Sequence, residues 1–121
     1  MDKSTIEDSL AKALEKRRGI KVVTTSSKSG ARISHSTWFV QKDGKLYLLP
    51  VRGSDSHWYN NVLAAGAVRL AVGAAEYTLS ASAITDPAGV APVVKAFRDK
   101  YGDKNVATYY PKTDVAVEAR T

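Results

Sequence analysis

The stretch KVVTTSSKSGARISHSTWFVQKDGKLYLL, residues 21–49, decides the fold. Residues 20–25 (IKVVTT) are rich in β-branched side chains, residues 32–40 (RISHSTWFV) alternate, and residues 46–49 (LYLL) follow the turn sequence Lys42-Asp43-Gly44-Lys45. β-Branched and aromatic residues fit the pleated surface of a sheet, and Asp-Gly between two such runs favours a tight hairpin. Three strands in succession are therefore expected. The first connection, SSKSGAR (residues 26–32), is richer than a turn requires. Backbone geometry alone calls only for Gly or Asn, whereas small residues, hydroxyls and two cations suit a loop that holds an anion.

On the N-terminal side, Ser4-Thr5-Ile6-Glu7 has the form of a capping box, and Ile6, Leu10, Ala13 and Leu14 recur at helical spacing until Gly19. A helix is expected over residues 1–19. Its Lys16, Arg17 and Arg18 suit the negative end of the helix dipole and need no further function. This end is too charged for a secretory signal, and no apolar run has the length to span a bilayer, so the expected location is the cytoplasm, away from membranes.

On the C-terminal side, the period changes after Pro50. Trp58, Val62 and Ala65 fall at helical spacing, with Ser54 or Asp55 as the cap and Gly66 as the stop. Residues 67–72 and 76–84 then form a strand pair around Gly73, in which Tyr77, Leu79, Ala81 and Ala83 alternate with polar residues. Asp86-Pro87 opens a helix whose Val90, Val93, Val94, Phe97 and Tyr101 form an apolar stripe ending at Gly102. Residues 103–112 read as a loop, and Val115, Val117 and Ala119 as a closing strand. The expected class is mainly β (α+β): one domain over residues 1–121, with a six-stranded barrel in residues 20–121 and the order α-β-β-β-α-β-β-α-β.

Composition narrows the chemistry. With no cysteine, disulfides, thiolate nucleophiles and iron–sulfur sites are excluded. His35 and His57 are the only histidines and have no carboxylate cluster beside them, so no metal site is expected. No nucleophile elbow, zinc-protease helix or phosphate-loop spacing occurs, and hydrolysis has little support. The formal net charge of +6 draws anions in general. Nucleic acid is a poor fit, because Trp38 and Phe39 lie in a strand expected to feed the core rather than beside exposed cations. What remains is two sets of phosphate-capable groups at strand ends: Lys28, Ser29, Gly30 and Arg32 in one, Arg52 and Gly53 in the other. A three-stranded meander would bring them to one edge, where they could share an anion.

These residues carry a resemblance. TTSSKSGARISHSTWFV, KDGKLYLL and RGSDSHWYNNVLAAGAVRLAV, spanning residues 22–72, resemble the deazaflavin-dependent nitroreductase family of split β-barrels. Thr24, Thr25, Lys28, Ser29 and Gly30 match that family's first-loop motif, and Arg52, Gly53, Trp58, Tyr59, Asn61 and Val62 match its second. Ser26 and Ser27 stand where the family usually has Gly-Arg. The resemblance implies a homodimeric split barrel that binds the anionic deazaflavin coenzyme F-420 and passes hydride to an electron-poor small molecule. Lys28, Ser29, Gly30, Arg32, Ser36, Arg52, Gly53 and Trp58 would bind the cofactor, and Tyr109 and Tyr110 would shape the substrate side. Related barrels resembling pyridoxamine-phosphate oxidase make FMN the alternative cofactor, and a non-catalytic ligand-binding module is the alternative class. Tyr47, Tyr59 and Tyr109 are the tyrosines in reach of a proton-donor role.

Overall fold

The computed structural model describes residue 14 and residues 19–25, 30, 32–42, 45–72, 75–110 and 112–120. The capping box, most of the expected N-terminal helix, Lys28, Ser29, the Asp43-Gly44 turn and Gly73 lie outside these residues. The elements are β1 (Ile20–Thr25), β2 (Arg32–Thr37), β3 (Phe39–Lys42), β4 (Lys45–Leu48), a 3-10 turn (Gly53–Asp55), α1 (His57–Ala65), β5 (Ala67–Val72), β6 (Ala75–Ile84), α2 (Pro87–Tyr101), α3 (Asp103–Tyr109) and β7 (Ala116–Arg120). The strands form one antiparallel sheet in the order β2-β1-β5-β6-β7-β4-β3.

That order corrects the expected strand count from six to seven. Residues 32–40 are not one strand: the chain breaks at Trp38, leaving β2 on β1 and β3 on β4. β2 and β3 are the two edges of the sheet, yet only Trp38 separates them in sequence, so the sheet must curl into a split barrel until its edges meet there. Two groups hold the break. The Tyr101 hydroxyl accepts from the Phe39 N–H at 3.2 Å and donates to the Phe39 carbonyl at 3.0 Å, replacing ladder bonds that an edge strand lacks. The Trp38 ring stacks on Tyr101 at 4.1 Å with its plane tilted by only 9°.

Period-two alternation then builds two cores. Ile20, Val22, Phe39, Leu46, Leu48, Val68, Leu70, Leu79 and Val117 face the barrel interior, which α1 plugs with Trp58, Tyr59 and Val62. The intervening positions Val40, Leu49 and Ala116 face outward against Val90, Val93, Val94, Phe97 and Tyr101 of α2 and Val106 of α3. β7 is thus buried on both faces, with Ala116 and Val117 both fully covered. Asp86 caps α2 with Pro87 in its first turn, as read from the sequence, and Gly66 ends α1 at a left-handed φ of 68°. A second correction concerns residues 103–109, expected as loop. They form α3, because Val106 finds the outer core and the turn docks under α2. The cap of α1 is Ser56, while Ser54 and Asp55 belong to the preceding 3-10 turn. No described helix is long and apolar enough to cross a membrane.

Candidate functional site

The described helices cover the outer face over the β3, β4 and β7 side of the sheet, and among the described residues no helix covers the outer face of β2, β1 and β5 beside the Trp38 break. There the pairing register sets Ser36 opposite Lys21, and Lys21 opposite Ala71, in one row across three strands. This row forms the floor of a cavity of about 630 Å³, whose walls include Trp38, Val51, Tyr109 and Tyr110. The size suits a small organic ligand, and the mix of aromatic walls with few polar groups is typical of such sites.

Each wall is fixed by the fold. Tyr109 and Tyr110 end α3, and their rings meet Trp38 edge-on at 4.8 and 5.9 Å. Tyr110 is buried, and burial pushes its phenol up to about 12, although bonds with the Thr37 side chain and the Trp38 backbone draw it partly back. Its ring is held in place as a wall of the cavity. Tyr109 is 56% exposed and lines the cavity beside it. Tyr59 is enclosed in the barrel, where burial first and the charge of Asp114 second raise its phenol, and it lies off the cavity.

The residues singled out from sequence separate in space. Ser36, Tyr109 and Tyr110 line this one cavity. Trp58 fills the barrel core and does not line it; the tryptophan of the wall is Trp38, which was expected to feed the core. Arg32 lies at the far end of β2 from Thr37, and its guanidinium pairs with Glu76 at 2.5 Å. Arg52 follows Val51 at the cavity end, so Arg32 and Arg52 do not converge within one chain, while Lys28 and Ser29 lie outside the described residues. Five residue steps along the strand, roughly 16 Å, separate Arg32 from Thr37. The meander premise failed because the strand that linked the groups is split at Trp38.

The turn at Gly53 is also occupied from within. Asp114 accepts from the Ser54 N–H at 3.1 Å and from the Ser54 hydroxyl at 2.6 Å, and the hydroxyl bond is the main reason its carboxyl lies below the usual range. Lys112 pairs with Asp55 at 2.9 Å, and the Arg52 N–H donates to Ser56 Oγ at 2.9 Å. Among the described residues no group of His and acidic side chains is arranged to hold a metal ion. Lys21 and Val51 were not foreseen. A lone lysine in IKVVTT reads as an exposed strand position, and only the register sets it beside Ser36.

A curled antiparallel sheet whose edges meet beside an aromatic cavity defines a split-barrel protein. The chain belongs to the family DUF2255, described as an uncharacterized protein conserved in bacteria, whose model matches residues 11–121. No curated protein matches it in sequence. Its fold is similar to that of an F420-H2 dependent reductase, FDR-A, at 20% identity and a TM-score of 0.63, covering 86% of this chain and 95% of that one. It is likewise similar to HutZ, the heme storage protein from Vibrio cholerae, at 12% identity and a TM-score of 0.68, covering 96% and 89%. A putative pyridoxamine 5'-phosphate oxidase from Listeria innocua matches at 13% identity and a TM-score of 0.65, covering 94% and 90%. The split-barrel fold that the resemblance implied is therefore the fold of this chain.

Proposed function

We propose that the chain is a deazaflavin-dependent reductase that binds coenzyme F-420 at the Trp38 cavity and reduces an electron-poor small molecule. The observation that carries this reading is the cavity itself: an aromatic wall of Trp38, with Tyr109 and Tyr110 set edge-on to it, beside a polar floor of Lys21 and Ser36, in a fold similar to that of an F420-H2 dependent reductase. The donor set fits the group. An aromatic wall stacks a planar ring, Lys21 supplies positive charge, and Ser36 offers a hydroxyl. When bound, a reduced deazaflavin supplies a hydride. The chain's own work is to orient the ring against the wall, exclude water with Tyr109, and hold anionic groups with Lys21 and with Arg52 beside Val51. We assign Lys28, Ser29, Gly30 and Arg32 to the cofactor's anionic portions reached from a second copy, the active form being a homodimer.

FMN is the second reading. It is favoured by the Gly53–Asp55 turn, which already holds the Asp114 carboxylate and so leaves fewer donors for a multiply charged ligand. A tryptophan-fluorescence titration with oxidised F-420 and, separately, FMN, at low and high salt, tests both. Binding at the cavity quenches Trp38, weakens with salt because its ionic contacts are exposed, and leaves the emission of Trp58 in the Trp38→Phe variant unquenched. Saturation by FMN and not F-420 would select the second reading. No saturable change with either ligand, or the same quench in Trp38→Phe, refutes both.

A further inference from the structure

The 3-10 turn before α1 and the segment that leads from α3 into β7 are about sixty residues apart in sequence and are tied together in space. One Asp114 oxygen accepts from the Ser54 N–H and the other from the Ser54 hydroxyl, so the carboxylate grips the turn at two points. Lys112 adds a second tie, with its ammonium 2.9 Å from Asp55 and 3.8 Å from Asp114. The fit is close enough that Gly53 has no room for a side chain on the face that Asp114 and Lys112 cover.

Two walls of the Trp38 cavity flank this latch. Val51 stands two residues before Gly53, in a turn that is braced from within: the Gly53 N–H donates to the Pro50 carbonyl at 3.0 Å, and the Arg52 N–H to Ser56 Oγ at 2.9 Å. On the other side Tyr110 stands two residues before Lys112, and it and Tyr109 hold their edges to the Trp38 ring. None of Gly53, Ser54, Asp55, Lys112 and Asp114 lines the cavity itself.

We infer that Asp114 is a positioning residue for the Trp38 cavity, acting through Ser54 and Lys112 and not by touching a ligand. A two-point, charge-assisted grip fixes orientation as well as contact. By joining the two segments it sets how far Val51 stands from the two tyrosines, and hence the space left for a planar ring beside Trp38. The contacts are exposed, so each adds little to stability and the pair of segments gains mainly a fixed geometry. The inference deepens the proposed reductase reading, on which its ligand arm rests; the placing of the walls can be measured with no ligand present.

The test is acrylamide quenching of tryptophan fluorescence in the ligand-free full chain, followed by titration with oxidised F-420. Trp58 is buried in the barrel core, so the quenchable emission is that of Trp38 and is lost in Trp38→Phe. Asp114→Ala is expected to raise the quenching constant about twofold, as the walls open locally, and to weaken F-420 about tenfold through misplacement of the ring. Ser54→Ala, which removes one of the two bonds, moves both in the same direction by less. Gly66→Ala carries a backbone cost away from the latch and leaves both at wild-type values, which separates positioning from a general loss of stability. Unchanged quenching in Asp114→Ala and Ser54→Ala overturns the inference, and so does raised quenching with wild-type affinity for F-420. Failure of the wild type to bind F-420 sinks the reductase reading alone, and the quenching then still decides whether Asp114 sets the walls.

Discussion

Gly53→Ala separates two costs that usually come together. Gly53 has a φ of 57°, and a Cβ there would stand 2.0 Å from Asp114 Oδ1 and 2.9 Å from Lys112 Cγ. A left-handed alanine costs about 1 kcal/mol by itself. The carboxylate must also withdraw by more than 1 Å to reach ordinary contact, about 3.4 Å, which breaks both of its bonds to Ser54. These bonds go to a charged group but are open to solvent, so each contributes about 1 kcal/mol. The total is about 3 kcal/mol, a fall of roughly 10–15 °C in Tm for a domain of this size. Gly66→Ala is the control: φ is 68° but nothing lies within 4 Å of its Cβ, so only the backbone cost remains. Urea denaturation of the two variants should differ by about 2 kcal/mol, and in an Asp114→Ala background that difference should shrink to below about 1 kcal/mol. Equal loss in Gly53→Ala and Gly66→Ala would refute the claim that the turn is built around the Asp114 carboxylate.

Tyr101→Phe removes the hydroxyl that serves Phe39, leaving a buried N–H unpaired; equilibrium unfolding should show a loss of about 1–3 kcal/mol. Phe97→Ala hollows the outer core beneath α2, where Phe97 is fully buried, and the same assay should show about 3–5 kcal/mol. The carboxyl of Asp114 is depressed in the folded state, so its contribution is complete above the ordinary aspartate range and is lost as pH falls through the folded value; thermal melts of Asp114→Asn should be flatter against acid than those of wild type. Tyr110 runs the other way. Its phenol is raised from 10.0 to about 12, so its contribution is present below pH 10 and is lost as pH rises through about 12; Tyr110→Phe should blunt the alkaline fall in Tm.

Much of the fold could be read from alternation and punctuation. The β6 pattern, the Asp86-Pro87 helix start and the Gly66 stop are local signals, each set by one or two residues, and the structure realises them. The break at Trp38 is not local. Residues 32–40 alternate without a Gly or Pro to mark an interruption, and what splits them is Tyr101, more than sixty residues later. The site inherits that blind spot. Ser36, Tyr109 and Tyr110 were visible as residue types, whereas Lys21 and Trp38 join them only through cross-strand register and the curl of the sheet. α3 was hidden for a similar reason: a seven-residue helix with one buried valine carries too little periodicity to be told from a loop.

Two cavities lie where the hydrogen-bond ladder stops. One stands beside Trp38, where the chain leaves β1 for β4, and the other past Val23, where β1 leaves β5. A seven-stranded sheet cannot curl and keep every pair in register, because strand twist accumulates from neighbour to neighbour. Places where pairing fails expose backbone groups and open space together, and the fold must either fill them or use them. At Trp38 the phenol of Tyr101 satisfies the backbone, and the remaining space is walled with aromatic rings. At Thr24 no described side chain does the same, and the hydroxyl is left without a partner among the described residues. If the gap is a cost of the curl that the fold tolerates, Thr24→Val, which keeps the shape and removes the unpaired hydroxyl, should raise the melting temperature; an unchanged or lower value would refute the claim that this hydroxyl is left without a partner in the folded chain.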